Sequence, residues 1–407
     1  MTMKTKFKLA ASAAAAALAC AAGPAHAQVS DGVIKIGVMN DMSGLYADVA
    51  GPGSVLAARM AVEDFGAAAK GMKVEIVSAD HQNKPDVGST IARTWYDVDK
   101  VDAIFDVPTS SVALAISQLT KEKGKAFINS GAATSDLTGK ACSPNTVHWT
   151  YDTWMLANGT GSAIVKNGGD SWFFLTADYA FGHALERDTE AVVLKNGGKV
   201  LGKVRTPFPG SDFSSFLLQA QASKAKIIGL ANAGGDTINS IKQASEFGIV
   251  KGGQKLAGML VFISDIHGLG LNTAQGLIYT ETFYWDLNDQ TRAWTKRFVA
   301  QNNNKYPTMV QAGVYSSVLH YLKAVEAAKT DDGTKVVAQM KAMPTDDPLF
   351  GKGSIRADGR KMHPAYLVEV KKPSESKGPY DYQKVIATIP AEQAFRPLNQ
   401  GDCPLVK

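Results

Sequence analysis

The chain has 407 residues, 45% hydrophobic and 20% charged, a balance that suits a globular protein of two or three domains and excludes a disordered one. Lys and Arg exceed Asp and Glu by 43 − 38 = 5, too slight an excess for a nucleic-acid binder, which concentrates basic charge on one face. Lys4, Lys6 and Lys8 carry much of that excess, and no acid accompanies them.

These lysines open an export signal. Residues 1–8 form a basic n-region and residues 9–22 an apolar run, too short to span roughly 30 Å of hydrocarbon. Ala25-His26-Ala27 is an A-x-A cleavage signature. The sequence therefore predicts a signal peptide over residues 1–27, cleaved after Ala27, and a periplasmic protein of 407 − 27 = 380 residues with net charge 5 − 3 = +2. Lipidation at Cys20 is the rival reading, but Ala17 stands where a lipobox wants a bulky aliphatic residue. Two cysteines remain, Cys142 in ACSPNT and Cys403 in GDCPLVK. An oxidising compartment favours their pairing over two separate thiols, and so long a closure contributes on the order of 4–5 kcal/mol in the loop-entropy model.

After the signal, apolar runs alternate with helical patterns. Strands are expected at 33–39, 74–78, 103–107 and 126–129, with helices at 54–65, 87–98 and 112–121 between them. A second series follows: helices at 154–165, 185–195, 213–221 and 237–247, and strands at 172–176, 199–204, 226–230 and 256–263. From residue 277 come an extended YTETFYW run, helices at 290–302 and 310–329, and strand-like runs at 365–370 and 384–388. The βα rhythm predicts an α/β fold of two doubly wound parallel-sheet lobes with a cleft between them.

Enzyme chemistry finds little support. The sequence has no H-E-x-x-H, C-x-x-C, G-x-S-x-G or G-x-x-x-x-G-K-[ST] motif, so no catalytic residue, metal site or cofactor is expected. Gly51-Pro-Gly53 lies too far from its strand for a dinucleotide turn and reads as a helix start. Two strand-to-helix junctions are rich in small and hydroxyl residues: Pro108-Thr109-Ser110-Ser111 and Ser130-Gly-Ala-Ala-Thr134-Ser135. A helix start presents unpaired N–H groups and partial positive charge, so with hydroxyl donors such loops can hold a carboxylate without Arg or Lys. Each could instead be a plain N-cap; side by side at a sheet's carboxyl edge, they suggest an anion pocket.

With VIKIGVMNDMSGLYADVAG at its start, then VPTSS, SGAATSDLTG and FLTADYAFG, the chain resembles the substrate-binding proteins of ABC importers, in the leucine/isoleucine/valine-binding group of type I periplasmic binding proteins. The resemblance covers essentially the whole mature chain. It implies a three-crossover hinge, with lobe 1 at 28–148 and 281–351 and lobe 2 at 149–280 and 352–407; the C-terminal tail is the segment that could return to lobe 1. It further implies a ligand site at Tyr46, Thr109, Ser110, Ser111, Ala132, Ala133 and Thr134 from the first lobe, and at Tyr179, Phe181, Asn232, Ala233 and Gly234 from the second. Asp265 sits where amino-acid binders of the family place the acid that pairs with the ligand's ammonium; a cap on the turn at Ile266 is the alternative. Asp236 reads as a helix cap, and Trp149 and Tyr151 as either hinge packing or cleft lining.

The family's Gly-Ala-Thr run is here Gly131-Ala-Ala-Thr134, and small residues replace its aromatic pair near Asn232, which puts leucine itself in doubt. The expected protein is a monomeric, non-enzymatic receptor. It would deliver a small carboxylate-bearing molecule to an inner-membrane ABC permease with its ATPase subunits, with no nucleic-acid partner. The rival is a ligand sensor of the same fold acting on a signalling partner, with an aromatic acid or small amide as ligand.

Overall fold

The structure is a computed structural model and describes residues 29–406. The expected signal peptide and its cleavage site lie outside the described residues. Among the described residues, no helix is long and apolar enough to cross a membrane.

The first lobe is built on five parallel strands: β1 (Ile34–Asn40), β2 (Val74–Asp80), β3 (Ala103–Asp106), β4 (Ala126–Asn129) and β5 (Thr146–His148), in the order β2-β1-β3-β4-β5. Helices α1 (Gly51–Phe65), α2 (Pro85–Asp97) and α3 (Ser110–Lys123) connect them. Alternation along each strand feeds two cores. Ile104 and Phe127 join Trp95 and Ile116 on the α2/α3 face, while Phe105 and Ile128 join Val55 and Met60 on the α1 face. Such continuous apolar runs suit strands covered on both faces.

The chain crosses to the second lobe through residues 149–152 and enters α4 (Thr153–Leu156), which runs on through a π-turn at Ala157–Gly161 into α5 (Ser162–Lys166). Four more parallel strands follow: β6 (Ser171–Ala177), β7 (Lys199–Thr206), β8 (Ile227–Ala231) and β9 (Lys255–Gly258), ordered β7-β6-β8-β9. They alternate with α6 (Ala180–Lys195), α7 (Ser214–Ala222) and α8 (Gly235–Glu246). The strand expected over 256–263 ends at Gly258, and α9 (Ile263–Leu269) begins where it was expected to end. The Asp265 carboxylate accepts from the Phe262 N–H at 2.9 Å and so turns an unbroken apolar run into a helix start.

Beyond α10 (Leu271–Ala274), β10 (Ile278–Glu281) leads back to the first lobe through α11 (Asp289–Gln301), α12 (Met309–Ala328) and α13 (Gly333–Ala342). Of these, α12 packs along α1. Strands β11 (Thr345–Asp347), β12 (Gly351–Ile355) and β13 (Lys361–Met362) form a small antiparallel sheet. The third crossover then carries the chain to β14 (Ala365–Val370) and β15 (Gln383–Ile389), antiparallel partners in a sheet with β10. After α14 (Ala391–Ala394) the tail ends at a disulfide between Cys403 and Cys142. The cysteines are thus paired.

Candidate ligand site

Each parallel sheet reverses its strand order once, beside β1 and β3 in the first and beside β6 and β8 in the second. The loops leaving the carboxyl ends of strands at such points form crevices where α/β proteins bind ligands. Here the two crevices face each other across the cleft and close on a small pocket. Its wall draws on nearly every strand end: Tyr46 and Val49 after β1, Pro108 after β3, Gly131 and Ala133 after β4, Tyr151 after β5. The second lobe adds Tyr179 and Phe181 after β6, Ala233 after β8, and Leu260 and Phe262 after β9.

Of the residues singled out in the sequence, Tyr46, Ala133, Tyr179, Phe181 and Ala233 line this pocket. The two tyrosine hydroxyls meet across the cleft at 2.6 Å. The others lie behind the wall, most of them in internal hydrogen bonds. The Thr109 hydroxyl donates to Asn83 Oδ1, because Asn83 Nδ2 already donates to Asp41 at 2.7 Å, so the Thr109 proton is spent inside the protein. Ser110 Oγ accepts from the Thr134 N–H at 3.2 Å, Ser111 lies in the first turn of α3, and Ala132 is held through both backbone groups by Asn129. Thr134 Oγ1 caps the following turn. Asn232 is bound to Thr237 and Ser240 of α8, and Asp265 to the Phe262 N–H.

Gly234 has a different task. Its φ is +57°, and a Cβ there would stand 2.7 Å from the Leu45 carbonyl oxygen of the opposite lobe. The bare α-carbon lets the lobes meet. Gly131 likewise allows the two first-lobe loops to touch, since a Cβ would lie 2.6 Å from Pro108 Cα.

Four helices of the fold start at this pocket; α9 is closed by the Asp265 carboxylate on the Phe262 N–H, and α3, α6 and α8 are not closed in this way. The residues before α3, α6 and α8 are Thr109, Tyr179 and Gly234, none of which gives a side-chain cap. Among the described residues, no Arg or Lys lines the wall. Helix N-termini left uncapped carry partial positive charge and free N–H donors, the requirements for an anion site without a cation. Tyr151, Phe181, Phe262 and Leu260 offer an apolar bed beside them.

The buried acids near the pocket fit the same picture. Asp106, Asp236 and Asp265 are each pushed up to about 7, chiefly by burial. Among the described residues, Asp106 Oδ1 and Asp236 Oδ2 have no partner, while Asn40 Nδ2 donates to Asp106 and the Gly210 N–H to Asp236. Asp236, expected as a cap of its own helix, instead anchors the loop carrying Phe208. That ring stacks on Tyr179 at 3.8 Å between centroids and stands 6.2 Å from Tyr46.

Phe208, Tyr151, Leu260 and Phe262 thus join the neighbourhood of the site. The reading at Tyr151 resolves to cleft lining, whereas Trp149 packs in the hinge with its indole N–H on Ser316. Polar contacts also close the cleft edge: Ser135 of the first lobe donates to Asp188 of α6 at 2.7 Å, and Arg187 reaches Asp136 at 3.0 Å.

Comparison with known proteins agrees with this geometry. The periplasmic binding protein family model matches residues 33–379. A crystal structure of a periplasmic binding protein from Burkholderia mallei is 55% identical, covers 93% of this chain and 100% of its own, and superposes with a TM-score of 0.90. A branched chain amino acid ABC transporter periplasmic ligand-binding protein from Burkholderia xenovorans LB400 is 43% identical, with 92% and 100% coverage and a TM-score of 0.81. The Leu/Ile/Val-binding protein homolog 6 of Brucella melitensis is 25% identical over 370 residues, 88% of this chain and 92% of that protein. Two α/β lobes on a three-crossover hinge, a pocket closed between their strand ends and a family match over most of the chain agree: the chain belongs to the periplasmic binding proteins, the exported, non-catalytic substrate-binding components of ABC transporters.

Proposed function

We propose that the protein captures a small monocarboxylate with an apolar or aromatic body and delivers it to an ABC permease in the inner membrane. The observation that carries this reading is the convergence of three uncapped helix starts on one aromatic-walled pocket without a basic side chain. The carboxylate would sit against the N–H groups of residues 109–111 and of Ala133, those of Ala132 and Thr134 being engaged by Asn129 and Ser110, and the body between Tyr151, Phe181 and Phe262. A ligand touching both lobes has its full set of contacts only in the closed form, so binding shifts the population toward closure and creates the surface offered to the permease.

For the lobe limits we propose a return to the second lobe after Met362, a reading supported by the backbone bridge from Arg360 to His148 of β5 and by the Lys361 ammonium 5.1 Å from the Trp149 ring.

A second reading, an amino acid, is favoured by the assignment of the Burkholderia xenovorans neighbour to branched chain amino acid transport. Its ammonium would need an acid, and Asp265 is engaged as a cap. A thermal-shift screen over aromatic and aliphatic monocarboxylates, amino acids and the matching amides separates the two. A ligand at 100 times its dissociation constant stabilises by about 2.7 kcal/mol. We expect carboxylates to stabilise and their amides to fail; stabilisation by amides or amines alone would overturn the proposal.

A further inference from the structure

The end of the chain recrosses the hinge. It leaves β15 in the second lobe, where the Gln393 carbonyl accepts from Asn158 Nδ2 at 2.6 Å on the π-turn between α4 and α5. The Phe395 ring then lies 4.4 Å from the Arg360 guanidinium and 5.0 Å from the His363 ring, both beside the third crossover. Arg360 in turn donates to the Thr150 carbonyl and to Asp152 at 3.3 Å, on the first crossover. The tail thus rests on the third connection directly and is linked to the first through Arg360.

Its far end is fixed in the first lobe. Arg396 Nη2 donates to the Ser135 carbonyl at 3.0 Å, one residue beyond the loop that brings Gly131 and Ala133 to the pocket. The Arg396 carbonyl accepts from Arg356 Nη1 at 2.8 Å. The disulfide then fastens Cys403 to Cys142. Both cysteines are buried, so the fastening is part of the packed structure.

We propose that residues 390–403 act as a hinge strap, a fourth link between the lobes that holds the loop 131–134 in position for the ligand and limits how far the cleft opens, with Cys142–Cys403 as its fastening. Apart from the contacts that close the cleft edge, a hinge of three short connections resists opening only through its own dihedrals. A strap anchored in both lobes and packed on the third crossover adds a tether whose slack sets the open angle. Arg396 is a positioning residue here, acting on the ligand through the Ser135 carbonyl.

The proposal rests on the reading that the ligand is trapped between the lobes. Its test uses ligand-free protein, so a failure to find a carboxylate ligand and a failure of the strap are distinguishable. Wild type, C142S/C403S and R396M, the last retaining the disulfide, are compared by small-angle scattering and amide hydrogen exchange. We expect a larger radius of gyration in C142S/C403S. At residues 131–136 we expect exchange at least about ten-fold faster in both variants, with β6 unchanged, as for a local opening. Unchanged scattering in C142S/C403S with unchanged exchange at 131–136 overturns the proposal. So does acceleration confined to residues 395–406, which would mean a fraying tail, or acceleration that includes β6, which would mean loss of general stability. If C142S/C403S does not fold, exchange in R396M decides by the same criterion.

Discussion

Substituting Gly234→Ala separates the strain of one residue from the closure of the whole molecule. Gly234 has φ +57° and ψ −132°, a conformation L-residues avoid, so alanine there costs about 1–3 kcal/mol whether the lobes are open or closed. The second effect exists only in the closed form. The added Cβ would lie 2.7 Å from the Leu45 carbonyl oxygen, and ordinary contact begins at 3.4 Å, so the lobes must part by about 3.4 − 2.7 = 0.7 Å at that point. The Tyr46–Tyr179 hydroxyl contact, now 2.6 Å, would stretch past the 2.5–3.0 Å range of an O–H···O bond. Losing that bond, worth about 0.5–1.5 kcal/mol net, and loosening the neighbouring Phe208–Tyr179 stack should together weaken ligand binding by roughly 5- to 100-fold. Calorimetric titration with the best compound from the carboxylate screen reads the closure effect, and the melting temperature of the ligand-free protein reads the strain. A variant that melts lower yet binds with wild-type affinity would show that Leu45 and Gly234 do not meet in the bound state, and the closed geometry argued above would be refuted.

Tyr46→Phe and Tyr179→Phe should each weaken binding by about 2- to 10-fold, and the double variant no more than the weaker single one, because the two hydroxyls share one bond; additive losses in the same titration would show that each contacts the ligand separately. Asp106→Asn should remove a pH dependence of stability. The folded protein holds this proton up to about pH 7, whereas the unfolded chain releases it near pH 4, so the wild type loses stability as pH rises between those values and the loss is complete above them. The expected drift relative to the variant is on the order of 4 kcal/mol between pH 4 and 8 in urea unfolding, and parallel profiles would refute it. Asp265→Asn keeps an acceptor for the Phe262 N–H, so binding of a monocarboxylate should change less than about two-fold; a loss of ten-fold or more would place an ammonium beside this acid and favour the amino-acid reading.

Most of the fold was legible because its information is local. Runs such as 103–107 and 126–129 are apolar throughout, as strands covered on both faces must be, and the helices between them carry their own periodicity. Residues 256–263 failed for the same reason: LAGMLVFI is apolar throughout, so its pattern cannot say where the strand stops, and the capping acid lies beyond the run at Asp265. The site divides along similar lines. Tyr46, Ala133, Tyr179, Phe181 and Ala233 belong to junctions visible as strand-to-helix turns. Phe208 was missed although Pro207-Phe208-Pro209-Gly210 marks a turn after β7 at the same edge of the sheet, which was the available signal. Leu260 and Phe262 carried no such mark, since only the approach of the two lobes turns core-like residues into a pocket wall. Where a hydroxyl spends its proton is equally invisible in sequence: Thr109 reads as a ligand donor until Asn83, 26 positions earlier, is seen to accept from it.

That last point bears on how selectivity arises. The Thr109 proton is spent inside the protein, while the Ser110 and Thr134 oxygens accept from backbone N–H groups and keep their own protons, so the donors left for a carboxylate are these two hydroxyls and the backbone N–H groups at helix starts. Such a site recognises the anion as a class. A basic side chain would also bind it, but at the desolvation cost of burying its own charge in the closed cleft. Discrimination between one acid and another then falls to the rings and apolar groups around the ligand's body, from Tyr151 and Phe181 to Leu260 and Phe262. Substitutions there should exchange one carboxylate for another, whereas substitutions in the hydroxyl loops should change affinity for all of them together, through loop geometry.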